Sequence, residues 1–141
     1  MSVQDDIAYL KRQRDRKIAE RDRYQAQVDS NNRKISRLKK ARDNVHSQKK
    51  TFDGLRKDAK NIMEGSYSWE GNSHNLFKDS KGYRLNAAND RYYKNSLDYI
   101  EDSLNNEITR LQNENYSKLG LIGQLTSAIN SLINDIRNLV N

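Results

Sequence analysis

The chain has 141 residues, of which 34% are apolar and 32% charged. That is the length of one domain but too polar a composition for a thick globular core, so any core is a thin seam. There is no cysteine, which excludes a disulfide framework and a thiolate metal site, and no proline, which leaves six glycines as the strong backbone punctuation and permits long helices.

Net charge is +7, and its distribution says more than its size. Residues 1–64 hold 18 Lys/Arg against 10 Asp/Glu, whereas residues 65–141 hold 8 against 9. A basic first half raises nucleic acid or an acidic membrane as a partner. Clusters such as Lys39, Lys40 and Arg42 fit that reading. Against it, Asp5, Asp6, Asp15, Glu20, Asp22, Asp29 and Asp43 are interleaved with the cations, as on a solvated helix face with local ion pairs. Nucleic acid is therefore the weakest of the partner readings, and any membrane association is indirect.

The first residues, Met1 to Asp6, are acidic where a secretory signal is basic, and no apolar core segment follows them. From Ile7 a 3-4 spacing runs through Leu10, Arg14, Lys17, Arg21, Tyr24, Val28, Asn31, Ile35, Leu38, Arg42, Val45, Lys49, Phe52, Arg56, Ala59 and Met63. This is a heptad seam with many charged members, and it predicts a helical arm over about residues 3–64. At about 1.5 Å per residue such an arm reaches about 90 Å. With so few apolar residues it needs a partner along one face.

The pattern stops at Gly65. The stretch Gly65 to Ser73 supplies a glycine stop, polar turn residues and fresh N-cap candidates in Asn72 and Ser73, so a corner is expected over about 65–73. Trp69 can plug the closed end of the seam, and Gly71 can take dihedrals that a reversal requires. Leu76 and Phe77 re-enter the core one turn later. A second arm is expected over about 74–140, with Tyr83, Ala87, Leu97, Leu104, Ile108, Leu111, Ile122, Leu125, Ile129, Leu132, Ile136 and Leu139 on one stripe. Gly82 and Gly120 are candidate breaks in it. Gly120 and Gly123 either bend the helix or let another backbone approach closely.

The expected fold is all-α: a single domain over residues 1–141 forming an elongated, coiled-coil-like antiparallel hairpin with a Trp-x-Gly corner at mid-chain. A turn near residue 68 makes paired positions sum to about 136, with Ile108 near Val28, Leu97 near Leu38 and Ile129 near Ile7. Beyond Lys118 the apolar face widens to include Leu119, Leu121, Ile133 and Val140, more than a two-stranded seam can cover. Leu119, Leu121, Ile122, Leu125, Ile129, Leu132, Ile133 and Ile136 are accordingly the candidate partner-binding residues, and the partner is either another protein's helix or a second copy.

No catalytic constellation is present, since a thin hairpin offers no pocket in which acid, base and nucleophile converge. An enzyme is not expected. His46 and His74 have no second ligand at helical spacing, and Gly65, Gly71 and Gly82 lack the spacing of a phosphate loop, so no metal, cofactor or small-molecule substrate is expected.

The Trp69, Gly71 and Phe77 corner, with the aromatic six residues beyond the glycine, resembles the WXG-motif helical hairpins of type VII secretion systems. The charged N-terminal heptads, central motif and apolar C-terminal tail together are similar to the YwqH-like family. Members of that family accompany LXG-type polymorphic toxins in Gram-positive bacteria. The resemblance implies a non-enzymatic, chaperone-like targeting partner for the helical N-terminal domain of such a toxin, acting with other small helical accessory proteins. It implies a cytoplasmic location before export, and then secretion in complex with the partner. No tyrosine is followed four residues later by an acid, so this chain lacks the Tyr-x-x-x-Asp/Glu export signal of some secreted partners. A self-associating coiled coil, two hairpins forming a four-helix bundle, is the alternative from another class.

Overall fold

The computed structural model describes the backbone of residues 2–65 and 83–141 and the side chains of 2–61, 87, 88 and 90–141. Two long helices, α1 (Val3–Gly65) and α2 (Tyr83–Val140), pack against each other as a hairpin, so the all-α expectation holds. The corner residues Trp69, Gly71 and Phe77, the expected start of the second arm at residue 74, and His74 and Gly82 lie outside the described residues.

α1 opens on a reciprocal cap. The Asp5 amide donates to Ser2 Oγ at 3.1 Å, and the Ser2 amide donates to Asp5 Oδ2 at 3.3 Å. Each bond satisfies a backbone donor that has no carbonyl partner at a helix start, and Asp5 and Asp6 place negative charge against the positive end of the helix dipole. From there α1 runs 63 residues without a break, as the lack of proline permits, and α2 runs 58 residues straight through Gly120 and Gly123. A methyl group added at either glycine would meet nothing within 4 Å. Gly120 therefore does not divide the second arm, and within the described residues neither glycine serves a close helix approach.

The helices form two compact units. One joins Met1–Arg37 to Ile108–Asn141, and the other is Leu38–Glu107. In the first, the seam is built from Val28, Ile35, Ile108, Leu111, Ile129 and Ile136, all buried, together with the buried amides of Asn31 and Asn115. The seam members predicted along α1, from Ile7 to Arg56, are all buried or half-buried, while Ala59 is exposed. On α2 the half-buried and buried positions continue the same spacing through Leu97, Glu101, Leu104, Ile108, Leu111, Asn115, Lys118, Ile122, Leu125, Ile129, Leu132 and Ile136. Glu101, Asn115 and Lys118 belong to it although they interrupt the apolar stripe. Ala87 and Leu139, placed on the stripe by sequence, are exposed.

The register differs from expectation. In the first unit Asn31 Nδ2 donates to Asn115 Oδ1 at 3.0 Å, and Asn115 Nδ2 donates to Asn32 Oδ1 at 2.9 Å. In the second, Lys49 meets Asp98 at 2.6 Å and Arg56 meets Asp90 at 3.0 Å. The midpoint of the Asn31–Asn115 pair is residue 73, so paired positions are displaced by about ten residues from those expected. Ile129 is level with Lys17 rather than Ile7. The expected register matched apolar residues with apolar ones around an early turn; the seam instead matches amide with amide and cation with carboxylate, which is a stronger geometric requirement in a half-buried site.

Candidate functional site

With this register, the first unit decides what the apolar end of α2 can do. Leu10, Lys17 and Tyr24 are level with Ile136, Ile129 and Ile122, while Arg14 and Arg21 are level with Leu132 and Leu125. Ile129 and Ile136 are 3% and 8% exposed. The α1 side chains that cover them include half-buried cations, whose methylene stems lie on apolar surface while the charged ends reach water. The eight candidate partner-binding residues are thus divided. Ile129 and Ile136 belong to the seam; Ile122, Leu125, Leu132 and Ile133 are half-buried; Leu119 and Leu121 are 50% and 38% exposed.

Helical spacing puts the remaining apolar surface on two flanks of the seam. Leu119, Ile133 and Val140 lie on one, Leu121 and Leu139 on the other, beside Leu125 and Leu132. Sequence reading merged them into one wide face because it could not know that α1 passes between them. The exposed Tyr9, Tyr116 and Val3 add apolar surface in the same unit.

In this unit Arg14 and Arg21 pair within their own helix. Arg14 meets Asp15 at 3.0 Å and Arg21 meets Asp22 at 3.9 Å, each an ion pair between chain neighbours. Glu114 is held by Lys118 one turn on, and that hydrogen bond, with a second from Asn31, keeps its carboxyl below the ordinary glutamate range. In the second unit the pairs cross between helices. Lys49 bridges Asp98 and Glu101 at 2.6 and 3.3 Å, Arg56 reaches Asp90, and the Arg42 guanidinium donates to Asn105 Oδ1 at 3.3 Å. The Asp98 hydrogen bond above all raises the Lys49 ammonium above its ordinary value. Phe52 and Tyr93 stack at 5.0 Å between ring centres, and Tyr93 takes the edge-on contact of Tyr92.

Among the described residues no group of His, Asp and Glu could hold a metal ion. None of the described helices is long and apolar enough to cross a membrane. The open groove beside Lys49, Phe52, Arg56 and Leu97 is lined by side chains already engaged in the seam.

The YwqH-like family model matches residues 9–134. The chain belongs to the YwqH-like family. The match takes in both helices, the residues between them and the cations of the first unit, stopping short of the final apolar residues Ile136, Leu139 and Val140. No curated protein and no solved structure matches the chain.

Proposed function

We propose that this YwqH-like hairpin is a non-enzymatic accessory protein of type VII secretion that binds the helical N-terminal domain of an LXG-type toxin and accompanies it to the export machinery. The observation that carries the reading is the apolar surface α1 leaves uncovered on α2, Leu119 and Leu121 foremost, in a chain of this family. A helical surface with exposed leucines beside a formed seam accepts another helix; it offers nothing for chemistry on a small molecule. Chaperone-like targeting follows if the partner's own apolar stripe is kept from water until export. Other small helical accessory proteins fit the second flank.

The experiment is co-expression with the helical N-terminal region of an LXG-type toxin from the same genome, followed by affinity purification and size-exclusion chromatography. A co-eluting complex is expected, and Leu119→Asp with Leu121→Asp should remove it while circular dichroism stays helical. These two positions are the right ones because Ile129 is core, and its substitution would unfold the hairpin rather than test the surface. A chain that elutes alone beside the toxin region overturns the reading.

The same exposed leucines suit a second copy, which would give a four-helix bundle. Light scattering separates the two: a tight homodimer that excludes the toxin region favours the bundle. Nucleic-acid binding has less support, because acids are interleaved with the cations along α1 and break up any continuous basic face. A gel shift with nonspecific DNA at low salt tests it.

A further inference from the structure

One flank of the first unit carries an uncovered leucine beside cations that the hairpin does not match across its seam. Heptad spacing places Arg14, Ile18 and Arg21 of α1 along the same flank as Leu119 and Ile133 of α2; Arg42 and Lys49, which occupy the same heptad position as Arg14 and Arg21, reach Asn105 and Asp98 on that flank. Arg14 and Arg21 are half-buried, with side chains 30% and 32% exposed. Level with them on α2 stand leucines, so neither meets a carboxylate across the seam. Their partners are Asp15 and Asp22, which are 65% and 69% exposed and adjacent in the chain. Ion pairs so open to water contribute little and exchange cheaply.

The charge of the unit points the same way. Residues 1–37 hold ten Lys/Arg against six Asp/Glu, and residues 108–141 hold three against two. Of the two acids on α2 here, Glu114 is held by Lys118, and Asp135 lies toward the chain end. Two copies of so basic a unit repel each other, whereas an acidic helix is attracted.

We propose that this flank takes an amphipathic helix from another protein whose apolar stripe is bordered by Asp or Glu at seven-residue spacing, set to meet Arg14 and Arg21. The inference rests on the docking reading above and adds the chemistry of the partner. Two turns of helix separate Arg14 from Arg21, about 10 Å, which a regular heptad of acids matches. Leu119 and Ile133, with Ile18 of α1, supply the apolar contact, and the cations fix orientation and reject basic helices.

The test uses the full chain and two synthetic peptides with leucine at every a and d position, one with glutamate and one with lysine at the flanking e and g positions. Binding is followed by fluorescence anisotropy of labelled peptide at low and high salt. The acidic peptide should bind at least about tenfold more tightly than the basic one, with the preference shrinking as salt screens it. Arg14→Gln with Arg21→Gln should abolish the preference, while Arg14→Lys with Arg21→Lys retains most of it; circular dichroism checks both for helicity. Equal binding of the two peptides, lost in Leu119→Asp, overturns the acidic partner and leaves the docking reading standing. Binding of neither overturns both. A peptide-free homodimer by light scattering also overturns the proposal, because a second copy would then fill the flank.

Discussion

The two units are built from the same heptads yet are held by different forces. All the buried hydrophobic side chains among the described residues, Val28, Ile35, Ile108, Leu111, Ile129 and Ile136, belong to the unit formed by Met1–Arg37 and Ile108–Asn141. The unit of Leu38–Glu107 has none among its described residues, and these join its helices by Lys49 to Asp98 and Glu101, Arg56 to Asp90, and Phe52 to Tyr93. Burial stabilises by roughly 25 cal/mol per Å² of apolar surface, whereas half-exposed ion pairs contribute about 1 kcal/mol or less each. The first unit is thus the stable one although its cations are unmatched across the seam. The second is cross-linked by charge but weakly cored. Charge that is matched across the seam and charge that is not are alternatives, and Lys49 with Arg56 shows the first while Arg14 with Arg21 shows the second.

The sharpest way to break this contrast is to empty the two seams in turn. Leu111→Ala in the first unit should cost about 3 kcal/mol in urea denaturation, while Leu97→Ala, half-buried in the second, should cost about 1 kcal/mol. Equal costs would mean that the second unit is as well cored as the first.

The asparagines come next. Asn115→Ala takes one acceptor from the buried Asn31 amide and the donor from Asn32, and should destabilise by about 1–3 kcal/mol. Asn31→Leu with Asn115→Leu should recover or exceed the original stability but loosen the register, because a buried amide pair is satisfied in one alignment only. With no native cysteine, engineered pairs read this directly. Ile35→Cys with Leu111→Cys should crosslink in the parent chain, and Ile35→Cys with Lys118→Cys only when the leucine pair is present.

A smaller effect is expected for the cross-helix charges. Lys49→Ala should lower the urea midpoint slightly, and less at high salt. Hydrogen exchange should then quicken in residues 38–61 and 90–107 before it does in residues 10–37 and 108–136.

The pH limbs carry the smallest effect and opposite signs. The lowered Glu114 carboxyl contributes stability that is present above its ordinary value of 4.5 and lost as pH falls through the lower folded value. The raised Lys49 ammonium contributes stability that is full below 10.5 and lost as pH rises through its higher folded value. Hydrogen exchange across pH, corrected for the intrinsic rate, should show the acid loss in the first unit and the alkaline loss in the second. Lys118→Met should flatten the former and Asp98→Asn the latter.

Much of this was legible before any coordinates. The α1 seam from Ile7 to Arg56 follows from its 3-4 spacing even where its members are Arg14, Lys17 and Arg21, because spacing survives when hydrophobicity does not. The α2 seam was read with gaps at Glu101, Asn115 and Lys118. Those residues are polar, and their place in the seam depends on what stands opposite. The Ser2–Asp5 cap was visible as an Ser-x-x-Asp spacing and went unread.

What the sequence alone determined is the helical state of both arms and the face each turns inward, since both depend on residues a turn or two apart. Alignment of one arm on the other was not so determined, because a heptad repeat fits its partner nearly as well at several offsets. The Asn31–Asn115 bonds and the Lys49 and Arg56 bridges select one offset, about ten residues from the apolar match. Only that alignment decides which of the C-terminal leucines α1 covers, leaving Leu119 and Leu121 open on opposite flanks and Arg14 and Arg21 facing leucine rather than acid.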